Sequence, residues 1–175
     1  VPAAGQRDPW TGVEIVSLYG DDERSLLPRP EAFAGLDLLL IDLQDIGTRY
    51  YTYAATAVWA AEAARAAGCE VWILDRPNPL GGEVVEGNLP DPGFASFVGA
   101  FRLPVRYGLT LGEIVRLEAH RRQWGRLPRV FAVAGWRRHD LWPATGRPWI
   151  APSPNMPTFD TALLYPGLCL VEATE

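Results

Sequence analysis

Two apolar runs, DLLLID (37–42) and EVWILD (70–75), each end on an aspartate, and the alanine-rich segment YTYAATAVWAAEAARAA (51–67) lies between them. The runs are nearly continuous in apolar character, as in strands covered on both faces. The alanines favour a helix, and Gly68 supplies its stop. Strand, helix and strand in this order require a crossover, so the chain is expected to form an α/β fold with a Rossmann-like, mostly parallel sheet and flanking helices. The remaining signals extend the alternation. VEIVSL (13–18) reads as a short strand stopped by Tyr19-Gly20, and Pro30 to Ala34 as one helical turn. Thr110 and Glu113 form a capping-box pair that opens a helix to about Gln123. RVFAVA (129–134) reads as another strand. Pro157 opens a short helix closed by Pro166-Gly167, and the apolar LCLV follows. Residues 1–135 are expected to belong to the Rossmann-like domain, and 136–175 to lead into part of a smaller C-terminal one.

Both strand ends deliver polar groups, which is where open α/β sheets do their ligand chemistry. The first leads into Asp42, Gln44, Asp45, Arg49 and the tyrosines Tyr50, Tyr51 and Tyr53. The second leads into Asp75-Arg76, then Pro77-Asn78-Pro79, a Gly81-Gly82 turn and Glu86. A plain connector needs no ion pair followed by stiff turn residues. Arg49, Arg76 and Arg106 suit bidentate capture of a carboxylate or phosphate; internal pairing, with Asp45 or Asp75 for the first two, is the competing role. One or two of the tyrosines should be core, while another could stack on a sugar ring. WIAPSPNMPTFDT (149–161) presents Ser153 and Asn155 on a rigid proline hook, suited to a hydroxyl or amide or serving only as structure. Among carboxylates, Glu86 lies in a loop between valines, where partial desolvation suits a general acid. A solvated hairpin glutamate is the alternative. Glu62 sits mid-helix among alanines, either on the wet face or pointing into a crevice.

Composition removes several classes of function. The 175 residues are 48% hydrophobic, enough to bury a sizeable core, and the net charge of -5 argues against a nucleic-acid partner. All sixteen basic residues are arginine, so no lysine Schiff base or P-loop lysine is available. Cys69 and Cys169 form no CxxC or Cys/His metal pattern and are expected to be buried free thiols beside apolar strands. No run of eighteen apolar residues is present, so no membrane span is expected. There is no GxSxG elbow around any serine, no HExxH near His120 or His139, and no phosphate-binding glycine loop. The chain begins with Val1 and ends directly after an apolar run, as expected of an internal piece of a longer protein.

Five blocks then occur in one order: SLYG (17–20), DLLLIDLQDIGTRYYTY (37–53), LDRPNPLGGEVVEG (74–87), FVGAFRLPVRYGLTLGE (97–113) and PSPNMPTFDTALLYPGLCLVE (152–172). Together they closely resemble the NamZ-type exo-β-N-acetylmuramidases, over essentially the whole chain. The resemblance implies a Rossmann-like domain joined to a smaller C-terminal one, with the sugar in the cleft between them. It also implies release of N-acetylmuramic acid from the non-reducing end of peptidoglycan fragments by paired carboxylates, without cofactor or metal. The partner would be a peptidoglycan-derived saccharide or muropeptide, met outside the cytoplasm in a secreted or periplasmic setting. One family glutamate belongs to a GPEHG-type motif, which this sequence lacks. The second corresponds to Glu62 or to Glu86, with loop geometry favouring Glu86. Asp42, Gln44, Arg49, Tyr51, Arg76, Asn78, Arg106, Ser153 and Asn155 fall in the matching blocks as substrate-binding candidates. Arg49, Arg76 or Arg106 would hold the lactyl carboxylate that distinguishes muramic acid from glucosamine. Two departures stand out: Tyr107 replaces a usual histidine, and VEATE (171–175) stands where EGTN is typical. A non-catalytic sugar-binding module, or a catalytically incomplete fragment, is the alternative.

Overall fold

The computed structural model describes residues 6–19 and 26–171. Gly20, Ser25 and most of the VEATE departure lie outside the described residues. The framework is β1 (Leu38–Ile41), α1 (Tyr53–Ala66), β2 (Glu70–Leu74), α2 (Leu111–Arg121), β3 (Arg129–Phe131) and α3 (Phe159–Leu168), with short 3-10 turns between them. The strands form a parallel sheet in the order β1-β2-β3. Leu38 pairs with Glu70 and Ile41 with Ile73; Trp72 pairs with Arg129 and Leu74 with Phe131. The fold is thus the expected α/β, with a parallel sheet and flanking helices.

Helix α1 starts two residues later than the alanine-rich run and ends at the expected glycine, whose φ of +87° completes the stop. Eight of its residues are buried, from Ala54 to Ala64, because it packs against β1, β2 and α2 at once. A helix enclosed on most sides must be apolar all round, and alanine lets the backbones come close. Trp59 stacks on Phe97 with ring centroids 5.5 Å apart, closing the core at one side. Helix α2 opens with the complete capping box between Thr110 and Glu113.

Several expectations are corrected. Residues 13–18 form no strand of the sheet: one isolated bridge joins Glu14 to Arg7, and Val13 and Val16 are exposed. A strand exists only where a neighbouring strand accepts its backbone bonds, and among the described residues 13–18 pair with neither open edge of the sheet, β1 or β3. Residues 132–134 do not continue β3. The sheet is not covered on both faces among the described residues. Val71 and Ile73 are buried beneath the helices, whereas Leu40 and Leu74 remain 52% and 38% exposed on the other side. Pro166 does not close α3; it sits inside the last turn, where the following Cys169 N–H still reaches the Tyr165 carbonyl. LCLV is therefore the helix end and a turn rather than a strand. Cys69 is a buried free thiol as expected, while Cys169 is only half-buried.

A second small core, Ile46, Tyr51, Met156 and Ala162, lies after the end of β1, flanked by Trp149 and Tyr165. It ties the loop following β1 to the proline-rich segment ahead of α3. No helix of the described residues is long and apolar enough to cross a membrane.

Candidate active site

Beyond the carboxyl ends of β1 and β2 the chain leaves a cavity of about 380 Å³, within the usual range for small-molecule sites of about 300–1,000 Å³. Asp42, Gln44 and Arg76 contribute its polar wall, and Leu43, Trp142 and Ile150 its apolar one. The location follows from the sheet. Parallel strands end together, so residues 42 and 76 arrive side by side although 34 positions separate them.

They meet as an ion pair. Arg76 Nε donates to Asp42 Oδ1 at 2.5 Å and Arg76 Nη2 to Oδ2 at 3.0 Å. Both side chains are more than 40% exposed, so the pair contributes little to stability, about 1 kcal/mol at most. Its effect is to fix two charged groups at the cavity rim. Asp75, the other strand-end carboxylate, faces away into α2, accepting from the Thr110 hydroxyl at 2.6 Å and the Gly112 N–H at 2.9 Å. Burial raises its pKa, with those two bonds opposing the shift. Arg76 therefore pairs with Asp42 and not with its own neighbour.

Gln44 bridges the two strand-end loops, its Nε2 donating to the Asp45 and Pro77 carbonyls. Tyr53 lines the cavity and donates to the Pro152 carbonyl at 2.6 Å, which holds the proline hook against α1. Tyr51 belongs to the second core. Burial pushes its phenol up, and Ser153 beside it opposes the shift. Asn155 is exposed on the hook and borders no described cavity.

The other candidates build the surrounding scaffold. Asn78 is buried; its Nδ2 donates to the Leu109 carbonyl and its Oδ1 accepts from the Leu80 N–H. Arg49 donates to the Asn88 and Leu103 carbonyls, and its guanidinium lies over Tyr50. Arg106 is bridged to Thr48 and Glu86 through the backbone, and its guanidinium holds Glu86 at 3.1 Å and the Leu80 carbonyl. Glu86 thus lies beside the β1 loop with its side chain 65% exposed, outside the cavity wall. Glu62 is elsewhere. It pairs with Arg122 at 3.0 Å, and Arg122 caps the far end of α2 from Asp75. Eleven residues of helix separate those ends, roughly 16 Å.

The structure adds two cavity groups that the strand-end patterns did not single out, and shows how the strand-end residue Asp45 is held. Trp142 and Arg147 line the cavity from the segment between β3 and α3, ahead of the proline hook. Asp45 is fully buried, accepting from the Tyr107 hydroxyl and from the Gly47 N–H at 2.8 Å, while its Oδ1 has no partner among the described residues. Tyr107, at the position of the usual histidine, is buried against this carboxylate. Gln44 Oε1, Thr48 Oγ1 and Arg49 Nε are buried without partners in the same loop. Such a concentration of unmet polar groups is typical of functional ends of a fold.

The family model described as Exo-beta-N-acetylmuramidase NamZ, N-terminal, matches residues 2–160. The chain belongs to this family. A relative from Bacillus subtilis (strain 168), described as Peptidoglycan beta-N-acetylmuramidase NamZ, is 40% identical over 168 residues, 96% of this chain and 40% of that protein. The chain thus spans about two-fifths of that relative's length. Crystal structures of two DUF1343 family proteins from Bacteroides fragilis NCTC 9343 superpose with TM-scores of 0.84 and 0.76, at 39% and 33% identity. Each match covers 95% of this chain, and 43% and 44% of the respective structures. Membership in the NamZ N-terminal family bears out the resemblance carried by the five sequence blocks.

Proposed function

We propose that the chain forms part of a glycoside hydrolase that releases non-reducing terminal N-acetylmuramic acid from peptidoglycan fragments. The observation that carries this is the sugar-sized cavity at the ends of β1 and β2, walled by the Asp42–Arg76 pair and apolar side chains. Kinship to a peptidoglycan β-N-acetylmuramidase supports the substrate class. We further propose that it works outside the cytoplasm, on cell-wall debris.

The chemistry requires two carboxyl groups flanking the glycosidic bond. One protonates the departing oxygen, and the other acts on the anomeric carbon or on a water. Within the described residues we assign one of these roles to Glu86. It is exposed, held by Arg106, and tied through Arg106 to Thr48 in the loop that follows β1. The test is hydrolysis of a chromogenic β-N-acetylmuramide by the intact protein, beside the matching glucosaminide. The muramide should be cleaved well ahead of the glucosaminide. Glu86→Gln should lower kcat at least about tenfold with KM nearly unchanged. Equal cleavage of both glycosides would sink the substrate assignment, and an unchanged kcat would remove Glu86 from the reaction.

One observation favours a second reading, a sugar-binding module without catalysis. The carboxylate in the cavity wall is already locked to Arg76, and neither Glu62 nor Glu86 lines that wall. A binding module would hold the sugar without turnover, and Glu86→Gln would leave its affinity alone.

A further inference from the structure

The three arginines closest to the strand-end motifs all have donors engaged. Arg49 holds two backbone carbonyls, Arg76 forms a two-point pair with Asp42, and Arg106 holds Glu86 and the Leu80 carbonyl. Arg147 differs. Its guanidinium makes no hydrogen bond or ion pair with any described residue. It nevertheless borders the main cavity and two adjoining ones of about 270 and 250 Å³. These share walls: Asp42, Arg76 and Trp142 face both the first and the last, while Pro77 and Val133 link the smaller two. Arg147 is common to all three and so stands at their junction.

Its backbone is well anchored. The Arg147 N–H donates to the Thr145 hydroxyl, which donates in turn to the Trp142 carbonyl, and Pro148 follows directly. The neighbouring carboxylates cannot absorb its charge cheaply, because each is already held. Asp42 is paired with Arg76, Asp75 is bound by α2, and Asp140 accepts from the Arg137 N–H and lies 3.3 Å from His139. A fixed stem carrying an unpaired planar cation into a groove is suited to two-point capture of an anionic oxygen pair.

We propose that Arg147 is the specificity-determining residue for the carboxylate borne by the bound sugar. This rests on the muramidase reading and deepens it, assigning the lactyl carboxylate to Arg147 in place of Arg49, Arg76 or Arg106. Recognition by one free guanidinium makes the acid preferred over its neutral ester, although both have the same ring and acetamido group.

The experiment compares chromogenic β-glycosides of N-acetylmuramic acid and of its methyl ester, in the intact protein and in Arg147→Gln and Arg147→Lys. For Arg147→Gln, KM for the acid should rise about tenfold or more, as expected for a lost charged hydrogen bond, with the ester unaffected. Arg147→Lys should recover part of the loss. Equal loss on acid and ester, or no change on the acid, overturns the assignment. Binding of free N-acetylmuramic acid and its ester is measured in parallel by calorimetry. If the native protein cleaves neither glycoside, the hydrolase reading fails. The binding arm still decides Arg147: a tenfold weaker acid complex in Arg147→Gln supports it, and equal affinity overturns it.

Discussion

Gly47→Ala should destabilise the protein by about 2–5 kcal/mol, enough to lower Tm by about 10 °C. Two costs combine. Gly47 has φ +83°, where an L side chain costs about 1–2 kcal/mol. Its Cβ would also lie 3.0 Å from Asn78 Cγ and closer still to Oδ1. Asn78 cannot swing aside freely, since it is buried and bonded to the Leu109 carbonyl and the Leu80 N–H. Moving it orphans those groups at about 1–3 kcal/mol. Gly35→Ala is the control: its φ is +79°, but nothing lies within 4 Å of a new Cβ. That variant should show the backbone cost alone. Urea unfolding of both decides the point. If the two variants are equally destabilised, the contact between the β1 loop and Asn78 is not a packing constraint.

A second large effect is a pH dependence centred on Asp45. Burial raises its carboxyl to about 6 from 3.8, against the opposing bonds from Tyr107 and from the Gly47 and Ile46 N–H groups. The native state therefore holds a proton that the unfolded chain has already lost between about pH 4 and pH 6. Stability contributed by this group is greatest below that window and declines as pH rises through it, by about 3 kcal/mol. Other groups titrate in native protein and variant alike and cancel in the difference. Asp45→Asn should thus be about 3 kcal/mol less harmful at pH 7.5 than at pH 4.0, measured by denaturant unfolding. Tyr107→Phe should behave oppositely, because the lost hydroxyl supports the ionised carboxylate most. It should cost about 2–3 kcal/mol at pH 7.5 and about 1 kcal/mol at pH 4.0. Equal costs at both pH values for both variants would show that Asp45 keeps one protonation state throughout.

The Asp45–Tyr107 contact explains what the departure from histidine does here. A neutral phenol at position 107 donates to a buried carboxylate across 62 residues of sequence. In the described residues Tyr107 is fully enclosed, so its role is to hold the loop after β1 rather than to face the cavity.

Local pattern carried the elements whose causes are local. The apolar runs, the alanine helix with its glycine stop, the capping box at Thr110 and the arrival of charged groups at two strand ends follow from composition and spacing within about twenty residues. Residues 13–18 have the right local character, yet β structure needs an edge to accept its backbone bonds, and that edge is supplied, or not, by distant chain. The division of labour among the polar groups was likewise a tertiary matter. Arg76 chose Asp42 over the adjacent Asp75, Asp75 was taken by the start of α2, and Arg49 found carbonyls rather than Asp45. Among the described residues, Arg147 was left unpaired where three hollows meet. Coulomb and hydrogen-bond energies depend on separations of a few ångströms between segments dozens of residues apart. Periodicity along one stretch of chain reports which groups reach the end of the sheet; only the packed arrangement decides which of them remain available to a ligand.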